Sequence, residues 1–436
     1  MKKNKTSFFI SLSTFFLFIS LASVHTRAQL AGNERDMAFG ILSVTKDNIK
    51  DNYYDTNFRG INIDELFAQS KEKLKNASTR DEAMTIIAQT VLMFDDSHTA
   101  FYPPSRSADI DYGWLISMIG KDCYVVGVKP GSDAEAKGLK VGDKVLAVDG
   151  WRPTQENLWK MYYRYYSIMP TSRVRFVVQS PKDESPRTID VATKISKTSK
   201  VVTFEDIFNR IIRKGWDVGA DRTFESGKDL FVWKMSTFNT SEAHIDAVMD
   251  KARGFNSLII DLRNNGGGSV AVLKRLAGYF SDKDITLCDE KTRKSTKPII
   301  AKTRGNGIYK GKLIVLVDSN SASASEIFAR TIQLQGRGKV VGDKTAGAVM
   351  ESRFFTSKSG VGSVAYFGVS VTIADLIMPD GKSLEKVGVI PDEVVLTKDE
   401  DLAEQKDKAL SYAAKELGVE LSPEKAGALF PIKWNF

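Results

Sequence analysis

The chain has 436 residues, 42% hydrophobic and 27% charged, which is ample for two or three packed domains and argues against disorder. The formal charge is +8, but Lys2, Lys3, Lys5 and Arg27 lie in the first 28 residues, where there is no acid. The other 58 bases face 54 acids, a net of +4 that makes no electrostatic case for a nucleic-acid partner.

Residues 1–28 combine a basic start, a short apolar run from Phe8 to Val24 and the tripeptide Thr26-Arg27-Ala28, the layout of a secretory signal peptide cleaved after Ala28. The run is near the lower limit for a span, so an uncleaved anchor is the competing reading. No cysteine nearby could carry a lipid. Residues 29–108 read as a helical domain. Ile63–Lys75 is amphipathic, and Thr79-Arg80-Asp81-Glu82 opens a second helix carrying Ala83, Ile86, Ile87, Thr90, Val91 and Phe94 on one face. A polar turn, Asp95 to Thr99, follows it, and Pro103-Pro104 breaks the chain.

Residues 109–197 change to short β-rich runs. Cys123–Val128, Lys144–Val148, Val174–Val178 and Thr188–Val191 read as strands, with a short helix at Asp133–Lys137 closed by Gly138. Over residues 198–397 strands alternate with helices. The strands are Leu230–Trp233, Ser257–Leu262, Leu313–Val317 and Lys339–Val341; the helices are Ser241–Arg253, Ser269–Phe280 and Ser323–Leu334. Residues 398–436 form a tail with one charged helix, Asp399–Leu417. The class is a multi-domain α/β (α+β) protein. Cys123 and Cys288 fall in different domains and read as separate buried thiols, too few for a disulfide scaffold.

Two strand-to-helix junctions could carry chemistry. Asp261-Leu262-Arg263-Asn264-Asn265-Gly266-Gly267-Gly268 can point backbone N–H groups at a small volume, as an oxyanion hole requires, or can be an ordinary turn. Asp318-Ser319-Asn320-Ser321-Ala322-Ser323-Ala324-Ser325-Glu326 can present a serine at the head of a helix, or can simply cap it. A serine nucleophile needs a base. Of three histidines, His25 lies in the leader and His244 inside a helix, which leaves His98, beside Ser97 in the polar turn, or else a helix cap. Two histidines and two distant cysteines supply no metal cluster, and no dinucleotide fingerprint points to a cofactor.

With these residues in hand, the chain resembles the S41-type serine peptidases, the group of C-terminal-processing (tail-specific) proteases and the tricorn core. A PDZ-like series (Val128, Pro130-Gly131-Ser132, Ala136, Gly138-Leu139, Gly142-Asp143, Val145, Val148, Gly150) precedes the core motifs. Those are the two junctions, Val341-Gly342-Asp343-Lys344-Thr345, and Glu385 to Asp392. The resemblance implies a ClpP/crotonase-like α/β peptidase core with Ser323 as nucleophile, and with the amides of Ala324 and Gly267 as oxyanion hole. The C-terminal-processing branch takes its base from a Gly-Lys-Gly lysine, but Ala348 stands there, and Ser352 replaces the supporting glutamine. The tricorn-like branch uses Ser-His-Ser-Glu, which maps to Ser97, His98, Ser323 and Glu385, with Lys344 as the competing base. The PDZ-like module implies capture of substrate C-termini at Gly113, Trp114 and Leu115. Together these imply an exported endopeptidase, periplasmic or extracellular, acting on proteins or peptides. The alternative is a non-catalytic binder on the same fold, the use to which retinoid-binding proteins of the eye put a similar core.

Overall fold

A computed structural model describes residues 30–104, 108–197, 221–360, 365–432 and 434. The expected leader lies outside them, as does the start of the alternating region. Three helices come first: α1 (Gly32–Asn52), α2 (Ile63–Lys75) and α3 (Arg80–Leu92). Thr79 caps α3 by accepting Glu82 N–H at 3.1 Å, but the Glu82 carboxylate takes Ser78 N–H at 2.9 Å, one residue before the N-cap amide that a capping box would use. Ile41, Ile49, Phe67, Ala83, Ile87 and Val91 bury one face of each helix in a shared core.

Then come β1 (Ala100–Tyr102), β2 (Ala108–Asp111), β3 (Trp114–Ile119), β4 (Asp122–Val128), α4 (Asp133–Ala136), β5 (Lys144–Val148), α5 (Leu158–Tyr163), β6 (Arg173–Gln179), β7 (Arg187–Ala192) and β8 (Lys194–Lys197). Strands β3 to β7 make an antiparallel sheet in chain order, so β3 is an edge. Alternate residues (Trp114, Ile116 and Met118; Cys123 and Val125; Val174, Phe176 and Val178) face one core.

The rest supplies β9 (Arg222–Ser226), β10 (Leu230–Lys234), α6 (Glu242–Ala252), β11 (Ser257–Asp261), α7 (Val270–Ala277), β12 (Ile285–Thr292), β13 (Thr296–Ala301), β14 (Lys312–Val317), α8 (Ala324–Leu334), β15 (Lys339–Gly342), β16 (Met350–Ser359), β17 (Ala365–Ile377), β18 (Glu393–Val394), α9 (Asp399–Ala403), α10 (Lys408–Glu416) and α11 (Pro423–Leu429). The six-stranded sheet runs β18-β15-β14-β11-β10-β9, parallel except for β9. Helices α6, α7 and α8 cover one face and α10 with α11 the other. Both faces are dry, which is why β11 and β14 read as unbroken apolar runs rather than alternations.

A second sheet, β1-β17-β12-β13 with β16 on the other side of β17, joins the helical segment to the core. Ala100–Tyr102 pairs with Gly368–Ser370, which pins the Asp95–Thr99 turn beside Thr372. The helix expected over Asp399–Leu417 is in fact two. Gln405 takes φ 55°, and Asp407 caps α10 by accepting Leu410 N–H at 2.9 Å. Cys123 and Cys288 are both buried free thiols.

Candidate active site

Ser323 sits between β14 and α8 in a left-handed conformation, φ 56° and ψ −119°. A non-glycine residue there costs on the order of 1–3 kcal/mol and persists only where its surroundings hold it. Those surroundings are visible. Ser323 N–H donates to Ala348 O at 2.9 Å and to Glu326 Oε2 at 3.0 Å. The Glu326 carboxylate also takes Thr345 Oγ1 at 2.6 Å and the amides of Gly347 and Ala348 at 2.8 and 2.9 Å. Full burial pushes this carboxyl up to about 7 against those four donors. Glu326 ends the serine run that the sequence allows as a simple helix cap; in the structure it clamps the serine loop to the 345–348 segment.

The glycine-rich turn is packed directly on the serine. A Cβ on Gly267 (φ +92°) would lie 2.7 Å from Ser323 Cβ and 2.9 Å from Ala324 N. Asn265 ties the two junctions together: its backbone carbonyl accepts Ala322 N–H at 3.0 Å and Ser325 Oγ at 2.9 Å. The Ala324 amide has no hydrogen-bond partner among the described residues and is available to an oxyanion. The Gly267 amide is taken at rest, donating to Asn265 Oδ1 at 2.9 Å.

Ser97, His98 and Glu385 come together although 288 positions separate Ser97 from Glu385. Ser97 Oγ donates to Glu385 Oε2 at 2.8 Å and lies 2.6 Å from His98 Nδ1. A hydroxyl has one proton. Once Glu385 holds it, the short contact to the ring has to be Nδ1–H donating to Ser97. The tautomer is thereby set, and Nε2 keeps its lone pair with no hydrogen-bond partner among the described residues. Glu385 is itself anchored by Ser97 N–H at 2.9 Å and Val349 N–H at 2.9 Å. Burial raises its pKa while these donors hold it down, and burial lowers that of His98 while the Asp96 charge opposes the fall.

One peptide group links the two halves. The carbonyl of Ala348 accepts the Ser323 amide, and the N–H of the same peptide unit, on Val349, donates to Glu385. The Ser323 hydroxyl makes no hydrogen bond to His98 in this resting arrangement. Ala348, the position where a lysine base would stand, lies against the serine amide but carries no functional group. Lys344 is exposed, and its charge acts on Glu156 and Asp343.

Gly113, Trp114 and Leu115 are all buried at the head of β3. The Gly113 amide already holds a carboxylate of this chain, donating to Asp111 Oδ1 at 3.0 Å, while Lys129 Nζ binds the other oxygen at 2.6 Å. On the outer edge of β3, both the N–H and the C=O of Ile116 are bonded to the Tyr162 hydroxyl, at 2.9 and 2.8 Å. The same strand touches the serine loop: Met118 O accepts Ser319 Oγ at 2.6 Å and Ser117 Oγ accepts Asn320 Nδ2 at 2.8 Å. No group of side chains suited to a metal ion occurs among the described residues.

The chain is similar in sequence and in fold to known proteins. The model of Peptidase family S41 matches residues 231–395. The carboxyl-terminal-processing protease of Picosynechococcus sp. is 27% identical over 329 residues, 73% of this chain and 74% of that protein. The chloroplastic C-terminal processing peptidase of Tetradesmus obliquus is 28% identical over 362 residues, 78% of this chain and 73% of its own. Among solved structures, mature CPAF superposes with TM-score 0.63 at 14% identity, over 85% of this chain and 94% of its own. The photosystem II D1 C-terminal processing protease gives 0.50 at 21%, over 92% and 100%. At these identities the structures speak for the fold.

Proposed function

We propose, from the place of residues 231–395 in peptidase family S41, that this serine-type peptidase is exported and cleaves proteins or peptides with a Ser-His-Ser-Glu tetrad: Ser323, His98, Ser97 and Glu385. The observation that carries the reading is the unbroken Glu385–Ser97–His98 hydrogen-bond run, which leaves Nε2 as a free base.

Nε2 takes the hydroxyl proton of Ser323 as Oγ attacks the scissile carbonyl. The new imidazolium keeps its Nδ1–H on Ser97, whose own proton is held by Glu385. Negative charge on the carbonyl oxygen meets the Ala324 amide at the head of α8, and the Gly267 amide once it leaves Asn265. His98 then gives its proton to the departing amine, which leaves the acyl group on Ser323, and a water repeats the sequence in reverse roles. The reading requires Ser323 and His98 to close on each other when substrate binds, a tightening common to catalytic contacts that are open at rest.

Residues 29–108 are read as the helical domain that brings the histidine, 109–197 as a PDZ-like module that recruits substrate C-termini, 198–397 as the peptidase core, and 398–436 as its helical tail. Recruitment by strand addition at β3 requires an incoming chain to take over the two bonds of Tyr162 to Ile116. The basic, apolar start of residues 1–28 supports export to the periplasm or beyond, and no helix among the described residues is long and apolar enough to cross a membrane.

The test is hydrolysis of an unfolded protein by the chain from Gln29 onward. Loss of turnover in Ser323→Ala and His98→Ala with survival in Lys344→Ala is expected. Turnover lost in Lys344→Ala and kept in His98→Ala would overturn the assignment of the base. A wild-type chain that cuts nothing, even with C-terminal peptides added, would favour a binding protein.

A further inference from the structure

A second buried carboxyl group lies beside His98 and makes no bond to the Glu385–Ser97–His98 run through its side chains. Asp96 is 4% exposed and sits one residue before Ser97. Its Oδ1 accepts the N–H groups of His98 at 2.9 Å and Thr99 at 2.6 Å together with the Thr372 hydroxyl at 2.8 Å; Oδ2 accepts the Tyr53 hydroxyl at 2.8 Å. Those donors come from three places: the end of α1, the turn itself and β17. Thr99 and Thr372 are cross-bonded again, hydroxyl to hydroxyl at 3.0 Å and Thr372 N–H to Thr99 Oγ1 at 3.1 Å. The preceding residue, Asp95, has φ 49° and is held from outside by Arg59, Lys160 and Lys386.

We propose that Asp96 is a positioning residue of the peptidase: through the buried Tyr53–Asp96–Thr372 hub it fixes the backbone of His98, and it places its carboxyl group beside the ring that becomes imidazolium. This rests on the tetrad reading above. The charged groups around the ring are Asp96 on its own turn and Glu385 across Ser97. The Asp95–Lys386 pair and Lys160 lie further out, and Arg59 lies against Tyr53. The Asp96 charge raises the His98 pKa against burial, which lowers it.

Asp96→Asn separates charge from shape. Its Oδ1 can still accept all three donors, and its Nδ2 can donate to Tyr53, whose hydroxyl turns round to accept. The experiment follows the His98 imidazole by NMR against pH in the exported chain, assigned with a His98→Gln variant, beside pH profiles of kcat/KM. In Asp96→Asn the titration midpoint of His98 should fall by about one pH unit, and the acid limb of kcat/KM should fall with it, because neutral histidine then survives to lower pH. KM should stay within about twofold. Tyr53→Phe loosens the hub but keeps the charge, so kcat should drop several-fold with the midpoint in place. A folded Asp96→Asn whose His98 titrates where the wild type does overturns the proposal. If Asp96→Asn does not fold, a Tyr53→Phe enzyme with wild-type kcat overturns it. The NMR midpoint needs no turnover, so a failed tetrad and a failed role for Asp96 give different results.

Discussion

Glu385→Gln tests the tautomer argument most severely. The wild-type carboxylate accepts three protons: Ser97 N–H on Oε1, and the Ser97 hydroxyl and Val349 N–H on Oε2. An amide cannot do this. With its nitrogen at the Oε2 position it faces Val349 N–H donor to donor, and it donates to Ser97, whose proton then turns toward His98 Nδ1. The ring must carry its proton on Nε2, and the base is disabled. In the other orientation the nitrogen faces Ser97 N–H, an unsatisfied buried pair costing about 1–3 kcal/mol. Losing a hydrogen bond to a charged acceptor is worth about 1.5–3 kcal/mol, roughly 10- to 100-fold in rate, and a fully inverted tautomer costs up to about 10⁴-fold. Turnover of an internally quenched peptide at pH 7.5 should therefore fall by about 10²–10⁴ with KM little changed. Glu385→Ala should be the milder variant. Water can accept the Ser97 proton there, and the productive tautomer survives. If Glu385→Gln is as active as Glu385→Ala or more so, the relay from Glu385 to Nε2 is wrong.

Three further outcomes are expected. Gly267→Ala forces a methyl within 2.7 Å of Ser323 Cβ at φ +92°; the variant should lose about 2–4 kcal/mol in urea unfolding and nearly all turnover, and wild-type activity would remove the close approach from the argument. Glu326 titrates near 7 when folded against 4.5 for the free group, because it is buried. It binds its proton more tightly in the folded state, so its contribution is full below about pH 4.5 and fades as pH rises through about 7, by about 3 kcal/mol. Glu326→Gln should lack that slope between those pH values, and parallel urea profiles for the two proteins would contradict it. Tyr162→Phe removes the hydroxyl that occupies Ile116, so a fluorescent peptide with a free C-terminus should bind several-fold more tightly by anisotropy. Weaker binding would count against strand addition at β3.

Much of the local structure was legible because it depends on neighbours in sequence. Thr79 marks the start of α3, Ile63–Lys75 shows a helical apolar stripe, and short continuous apolar runs mark β11 and β14. The tail helix was over-extended because Gln405 to Asp407 carry no glycine or proline to announce the break. The long β16–β17 hairpin was missed: β17 is buried almost throughout, so it lacks the alternation that marks a half-buried strand. The clamp made by Glu326 is not legible in sequence because its donors arrive from residues 323, 345, 347 and 348, and the last three lie beyond the helix that follows it.

The residue types of the candidate site were thus present in the sequence as Ser323, the Ser97-His98 pair and Glu385, and so was the lack of a lysine at Ala348. Which nitrogen of His98 carries the proton was decided only in three dimensions. That depends on a hydroxyl with a single proton placed between a carboxylate and a ring. The placement comes from β1 pairing with β17, which sets the turn at residues 95–99 against the far end of the chain. Chain-local patterning encodes helices, strands and caps. A relay across 288 positions exists only once the sheet registers have closed, because no property of either segment alone specifies the distance between them.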